Sequence, residues 1–221
     1  MPERIIIFGV SGHAKVIVDI IEKEAKFELI GFIDNNAAIG THVLGYEVIG
    51  PDSSLNQIIT NNDVFGGIIG IGDNAGRAIV KEKIINTFHD FNFVNCIHPN
   101  SVIGKNVTWG EGNVVMAGAI INSSSELKNH CIVNTNSSLD HDCIMSDFSS
   151  IAPNVTVGGN VVIGEYSAIG IGANVFHQIN IGANCIIGGG SLVCKDTENN
   201  SVYYGAPCKL VRNHNLGDKY L

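Results

Sequence analysis

From Ile97 onward a large apolar residue returns at every sixth position: Ile97, Ile103, Trp109, Val115, Ile121, Leu127, Val133, Leu139, Met145, Ile151, Val157, Ile163, Ile169, Val175, Ile181, Ile187 and Val193. Four residues after the anchors come mostly small residues, among them Ser101, Ala119, Cys131, Ser137, Cys143, Ser149, Ser167, Ala173, Cys185 and Ser191. Glycine often follows an anchor directly, as at Gly104, Gly158, Gly164, Gly170, Gly182 and Gly188. A period of six matches neither a helix face at 3.6 nor a strand at 2, so the repeating unit is a short strand plus a turn. Three units close a triangular coil of about 18 residues, with the anchor inward and the small residue beside it. Glycine is expected to relieve the backbone at the corners. Residues 97 to 198 then build about five to six coils, and residues 18 apart stack into ladders.

The chain before this repeat alternates strands and helices. Arg4 to Phe8 reads as a buried strand, Gly9 to Lys15 as a glycine turn, and Val16, Ile17, Ile20 and Ile21 as one face of a helix. A second strand, Leu29 to Ile33, ends at Asp34-Asn35-Asn36. A third, Gly67 to Ile71, ends at Gly72-Asp73-Asn74 ahead of a helix through Arg77 to Ile85. This order predicts a small parallel sheet, a Rossmann-like half, whose ligand sits beyond the carboxyl ends of the strands. The helix opening near Gly12 offers free N–H groups to a phosphate. Gly9-x-x-Gly12 lacks the full dinucleotide fingerprint, so one nucleotide is the expected ligand. The plainer alternative is that these glycines permit tight turns and Asp34 is a turn cap. The division expected is an α/β domain over residues 1–95 and a parallel β-helix with a C-terminal tail over 96–221.

Composition excludes several classes. Of 221 residues, 45% are hydrophobic and 15% charged, which is too apolar for a disordered chain. A net charge of −8 opposes nucleic-acid binding. No apolar stretch reaches the length of a membrane span, and the start of the chain lacks a basic n-region and long h-region, so a cytoplasmic location is expected. The six cysteines form no C-x-x-C pair, and Cys131, Cys143 and Cys185 share one interior repeat position, which suits core packing.

The segment Asn134 to Cys143 breaks the repetitive texture with Asp140-His141-Asp142. His141 is the candidate general base, because imidazole titrates near neutrality and a neighbouring carboxylate, Asp142 or Asp140, orients it. One coil later stands Gly159, where the missing side chain lets an acyl group reach a backbone N–H that stabilises an oxyanion. A surface histidine on an Asn-rich face is the competing reading. His98 is expected to cap the solenoid, and His130 and His177 to be exposed turn residues. His141 and His177 lie 36 residues apart. The zinc site of hexapeptide-repeat carbonic anhydrases also needs a histidine five residues after one of them. Ser146 stands there instead, and no metal is expected.

The chain resembles the NeuD/PglD-like family of sugar O-/N-acyltransferases through Gly9-Val-Ser-Gly-His-Ala-Lys15, Gly31-Phe-Ile-Asp-Asn35, Ile71-Gly-Asp-Asn74 with Arg77, His98-Pro99, Asn134-Thr135, Asp140-His-Asp-Cys143 and Gly205-Ala-Pro207. The resemblance implies a left-handed parallel β-helix, a homotrimer, and acetyl-CoA bound between subunits. The implied activity is acetyl-CoA-dependent N-acetylation of a nucleotide-linked 4-amino-4,6-dideoxy sugar, with a UDP-linked, bacillosamine-type acceptor preferred over GDP-perosamine. Transfer is expected to be direct, with His141 as base, Asp142 supporting it and Gly159 receiving the thioester oxygen. Gly9, Ser11, Gly12, His13, Asp34, Asn35, Gly72, Asp73, Asn74 and Arg77 would bind the nucleotide sugar, and Asn134 would lie in the sugar pocket. Ser150, Ala168, Gly170 and Gly189 would border the cofactor together with Gly159. Many relatives carry histidine where Ser150 stands, so the contact there differs. The competing functions are a sialic acid O-acetyltransferase and a non-catalytic scaffold.

Overall fold

The computed structural model describes residues 2–219. The chain forms two compact units, one running to Pro99 and one from Asn100.

In the first unit, β1 (Glu3–Phe8) is the inner strand of a five-stranded sheet, and its Ile5, Ile6, Ile7 and Phe8 are at most 1% exposed. Such a continuous apolar run marks a strand covered on both faces. Helix α1 (Gly12–Glu24) buries Ala14, Ile17, Val18, Ile20 and Ile21, an i, i+3, i+4 stripe, and ends at Ala25 in the left-handed region. Next come β2 (Phe27–Ile33), the short pair β3 (His42–Val43) and β4 (Tyr46–Gly50), α2 (Leu55–Asn62), β5 (Val64–Ile69) and α3 (Asn74–Thr87). The sheet order is β3-β4-β2-β1-β5. All neighbours run parallel except β3, which is antiparallel to β4. The sequence pattern indicated neither this edge hairpin nor α2. Because β1 lies between β2 and β5, the turns after all three strands open at one edge.

The second unit is a three-sided solenoid. One sheet stacks Val102–Ile103, Ile120–Ile121, Ser138–Leu139, Thr156–Val157, Asn174–Val175 and Leu192–Val193. A second stacks Thr108–Trp109, Glu126–Leu127, Ile144–Met145, Val162–Ile163 and Asn180–Ile181. The third contains Val114–Val115, Ile132–Val133, Ser150–Ile151, Ala168–Ile169 and Cys185–Ile187, and continues into the hairpin Ser201–Gly205 and Cys208–Asn213. Through these coils the pairing is parallel with partners 18 residues apart, as in Leu139↔Val157 and Ile151↔Ile169. Every anchor from Val115 to Val193 is buried. Ile103, in the first coil, is 37% exposed.

The corners work differently from the expectation. The left-handed residue is the third after each anchor, in an unbroken series from Asn106 to Gly190, and it is Asn, Asp, Ser, His, Phe, Tyr or Gln as well as Gly. Glycines directly after the anchors instead relieve crowding between coils: a Cβ on Gly164 would lie 2.6 Å from the amide nitrogen of Ala183. From Gly118 onward each left-handed residue donates its amide to the coil before, as Asp142 does to Ser123 O at 3.1 Å and Phe148 to Asn129 O at 2.8 Å. This repeated bond offsets the cost of the backbone conformation.

His130 belongs to this series and is 1% exposed, which corrects the expectation of an exposed turn residue. Its ring stacks on Phe148 at 4.9 Å, and Phe148 stacks on Tyr166 at 5.4 Å. The 18-residue ladder places like positions face to face, and rings at those positions exclude water from the corner. Phe148→Ala should therefore cost about 3–5 kcal/mol of stability, read as a lower urea midpoint at unchanged slope.

Candidate active site

The turn after β1 is tied to those after β2 and β5 by side chains that the sequence singled out. Gly9 has φ +94° and donates its amide to Ile33 O at 2.7 Å. Ser11 caps α1, accepting from His13 N at 3.0 Å, and donates its hydroxyl to Gly70 O at 2.6 Å. Asp34 accepts the amides of Val10 at 2.8 Å, Asn36 at 2.7 Å and Ala37 at 2.9 Å. Desolvation pushes the Asp34 carboxyl upward, but these three amides outweigh it and hold its pKa below the ordinary carboxylate value. Asn35 is bonded to Asp52 through Nδ2 at 2.6 Å and Oδ1 at 3.0 Å. Asp73 caps α3 through Gly76 N at 2.6 Å. Arg77, 1% exposed, donates to Gly72 O at 2.8 Å and to Asn74 Oδ1 at 2.8 Å.

These bonds place Gly9, Ser11, Gly12, His13, Asp34, Gly72, Asp73, Asn74 and Arg77 around one strand-end mouth, with Asn35 beside it. Asp34, Asp73 and Arg77 shape the loops there. Burial, and then the nearby Arg77 charge, lower the His13 pKa to about 3, so its imidazole is neutral. Its Nε2 is buried and makes no hydrogen bond among the described residues.

In the solenoid, the strand Ser138–Leu139 leads into Asp140-His141-Asp142. Interior Ser125 holds this turn from below, donating its hydroxyl to Asp140 O at 2.7 Å and accepting Cys143 N at 3.2 Å. Asp140 Oδ1 accepts from Asn122 Nδ2 at 2.8 Å and from His141 N at 2.9 Å. The left-handed backbone at Asp142, φ 57°, brings its Oδ2 to 2.7 Å from His141 Nδ1. With Nδ1–H donating to that carboxylate, Nε2 carries the free lone pair. The Asp142 hydrogen bond first, and the charges of Asp140 and Asp142, raise the pKa of His141 above the ordinary imidazole value. Both side chains are 54% exposed.

The ring rests against Gly159: a Cβ there would lie 2.7 Å from both His141 Cε1 and Nε2. His141 and Gly159 line an open pocket of about 490 Å³, with Thr156, Asn174, Phe176 and His177 among its other walls. His177, expected to be a plain turn residue, thus shares the pocket of His141. The 36-residue spacing carried that signal; nothing in the hexad pattern picked out Phe176. Cys143 is buried, and burial pushes its thiol up to about 11, so it is no thiolate nucleophile near neutral pH. Among the described residues no group of three or more His, Cys, Asp or Glu side chains could hold a metal ion.

Asn134, Ser150, Ala168, Gly170 and Gly189 lie elsewhere on the same unit. Ser150 pairs with Ala168 in the third sheet, and a Cβ on Gly170 would meet Gly189 N at 2.6 Å. Asn134 begins the turn after that sheet and accepts Thr135 N on its side-chain oxygen at 2.8 Å. None of the five lines the His141 pocket. Within one chain the two sets occupy different corners of the coil.

Hexad coils that carry a carboxylate-held histidine over a glycine gap define a β-helix of the acyltransferase type. The PglD N-terminal domain model matches residues 4–84. The perosamine N-acetyltransferase of Caulobacter crescentus, solved with CoA and GDP-perosamine, superimposes with a TM-score of 0.89 at 32% identity, covering 95% of this chain and 97% of that one. The acetyltransferase domain of PglB from Neisseria gonorrhoeae, solved with acetyl coenzyme A, gives 0.87 at 30% identity, covering 96% and 100%. The UDP-N-acetylbacillosamine N-acetyltransferase of Bacillus subtilis is 31% identical over 118 residues, 52% of each chain. A galactoside O-acetyltransferase of Escherichia coli is 41% identical over 66 residues, 30% of each chain. The chain thus spans about half or less of these curated relatives. It belongs to the PglD-like family of sugar acyltransferases, whose left-handed β-helix it shares.

Proposed function

We propose that the protein is an acetyl-CoA-dependent N-acetyltransferase acting on the amino group of a nucleotide-linked 4-amino-4,6-dideoxy sugar. The observation that carries this reading is the His141 imidazole, held at Nδ1 by Asp142 and lying with Nε2 over the glycine gap at Gly159. Nε2 takes a proton from the acceptor amine as its nitrogen attacks the thioester carbonyl. The Gly159 N–H, which makes no hydrogen bond among the described residues, is the donor for the carbonyl oxygen as negative charge builds on it. The C–S bond then breaks, and the one proton on Nε2 either passes to the departing sulfur, so that CoA leaves as the thiol, or goes to water after CoA leaves as the thiolate. Cys143 has no part in the transfer, so no acyl-enzyme forms.

The neutral His13 ring, buried at the mouth of the first unit with Nε2 unpartnered, supports a nucleotide acceptor, because a base edge or phosphate supplies the missing partner. The separation of His141 from Ser150, Ala168, Gly170 and Gly189 supports a homotrimer in which the donor lies in a groove between copies, one copy supplying each corner. Analytical ultracentrifugation should give three times the 23.5 kDa chain mass.

Incubation with acetyl-CoA and a panel of UDP-, GDP- and dTDP-linked 4-amino sugars plus sialic acid tests the activity through thiol release. One nucleotide amino sugar should react in preference. Reaction of sialic acid alone would make the protein an O-acetyltransferase, and no reaction with any acceptor would leave a scaffold.

The pH dependence follows from the hydrogen bonds. His141 acts unprotonated and its pKa is raised, so kcat/KM falls as pH drops through a value above 6.5. Asp142→Asn removes the largest cause of that raised pKa. The acid limb of the profile should move to lower pH, while the plateau falls because the ring loses its orientation.

A further inference from the structure

The bonds along the strand ends of the first unit continue past the mouth. In the turn after β1, Val10 donates its amide to Asp34 Oδ2 at 2.8 Å, and Asp34 N donates to Gly50 O, at the end of β4, at 3.1 Å. The next residue, Asn35, donates from Nδ2 to Asp52 Oδ2 at 2.6 Å and accepts Asp52 N on Oδ1 at 3.0 Å. This string crosses from β1 over β2 to β4, two strand spacings or about 10 Å. Asp34 is fully engaged in it, because its Oδ1 also accepts the amides of Asn36 and Ala37. Asp52 is not. Its Oδ1 has no hydrogen-bond partner among the described residues, and no lysine or arginine among them pairs with it. The string thus ends in a half-buried residue whose carboxylate has one oxygen fixed and the other open.

In an open parallel sheet, a nucleotide whose phosphates meet the first helix lays its nucleoside across the end of the second strand. Here that direction leads from Ser11 and the unpartnered His13 Nε2, past Asp34, to Asp52. A ribose then covers the end of β2, and its base arrives at the open carboxylate. Among the common bases only guanine sets two N–H donors, at N1 and N2, side by side on the edge that faces away from its sugar. Uracil and thymine hold N3–H between two carbonyl oxygens, which a carboxylate repels. Adenine and cytosine set an amino group beside a lone-pair nitrogen. We propose that Asp52, held by Asn35, accepts the N1 and N2 donors of a guanine, so that the acceptor sugar is GDP-linked rather than the UDP-linked one that the resemblance favoured. An ionised carboxylate has about four acceptor positions, so Oδ2 keeps its Asn35 bond while the base is held. This rests on the nucleotide-linked acceptor of the proposed function.

Calorimetric titration of the full chain with GDP, inosine diphosphate, ADP, UDP and dTDP varies the base and keeps the diphosphate. GDP should bind about 10- to 100-fold more tightly than UDP, dTDP or ADP, with inosine diphosphate, which lacks only the 2-amino group, in between. Asp52→Asn replaces one acceptor with a donor and should remove that advantage by raising the Kd for GDP, while the Kd for UDP stays within about twofold. Asn35→Ala leaves the carboxylate in place but unheld. It should shrink the GDP advantage in the same sense, and it carries the test if Asp52→Asn does not fold. Equal binding of GDP, inosine diphosphate and ADP would show that purine size is sensed, and would overturn the assignment. UDP or dTDP binding as tightly as GDP would overturn it too, as would a GDP advantage that survives in the folded variants. A wild type that binds none of the five would overturn the nucleotide-linked acceptor itself, whereas one that binds them without preferring guanine would remove this proposal alone.

Discussion

Replacing His141 by alanine is expected to lower kcat by about 10² to 10⁴, the contribution of one well-placed general base. KM for acetyl-CoA should change little, because the imidazole acts on the acceptor. Stability should change little, since the side chain is 54% exposed and its bonds are to a neighbouring surface carboxylate. That combination distinguishes a base from a structural residue. Equal activity in the variant would remove His141 from the reaction, and a collapsed thermal transition would make it a structural element of the corner.

Gly159→Ala should be nearly as damaging by another route. The added methyl would lie 2.7 Å from Cε1 and Nε2 of His141, so the ring must swing away from the gap. A shift of about 1 Å in a reacting group costs about 10²-fold, and the methyl also crowds the amide that receives the thioester oxygen. The displaced atoms are the far end of an exposed side chain, so the fold should survive with its melting temperature nearly intact. The His141→Ala/Gly159→Ala double variant should be scarcely slower than His141→Ala alone in the proton-transfer component, because that component is already lost. Any further loss in the double variant measures the amide. A Gly159→Ala protein with full activity would show that the gap serves only to pack the coils.

Much of the solenoid was legible because its determinant is local and repeated. The same inward position recurs every six residues, and from Val115 to Val193 the structure buries each one. The 18-residue ladder follows directly from three sides per coil, and it pairs His141 with Gly159 from the sequence alone. What the pattern concealed was the cause of the corners. Asn, Asp, Phe and Tyr adopt the left-handed conformation there because the preceding coil supplies a carbonyl to each amide, which is an interaction between coils rather than a residue preference. The burial of His130 is hidden from the sequence for the same reason: it depends on Phe148 stacked 18 residues later.

In the first unit the glycine turns and the polar clusters at the strand ends were found, but their division of labour was not. Asp34 reads in sequence as either a ligand contact or a turn cap, and its carboxylate accepts three backbone amides; Arg77, singled out by the family resemblance, donates to the Gly72 carbonyl. The 3₁₀ turn Asp52–Ser54 and helix α2 that follows begin without a side-chain cap bond, and β3 has only two residues, so neither α2 nor the edge hairpin left a strong local signature. Phe176 became visible only as a wall of the pocket, since an apolar residue beside an anchor is unremarkable in a hexad repeat.

The account stands on the acceptor nitrogen and the donor thioester meeting between His141 and Gly159. A crystal structure of the protein with CoA and its preferred amino sugar tests this most directly. The acceptor nitrogen should lie about 3 Å from His141 Nε2, with the CoA sulfur beside the Gly159 amide. A complex with the acceptor amine out of reach of Nε2, or with the sulfur bound away from the Gly159 coil, would contradict it.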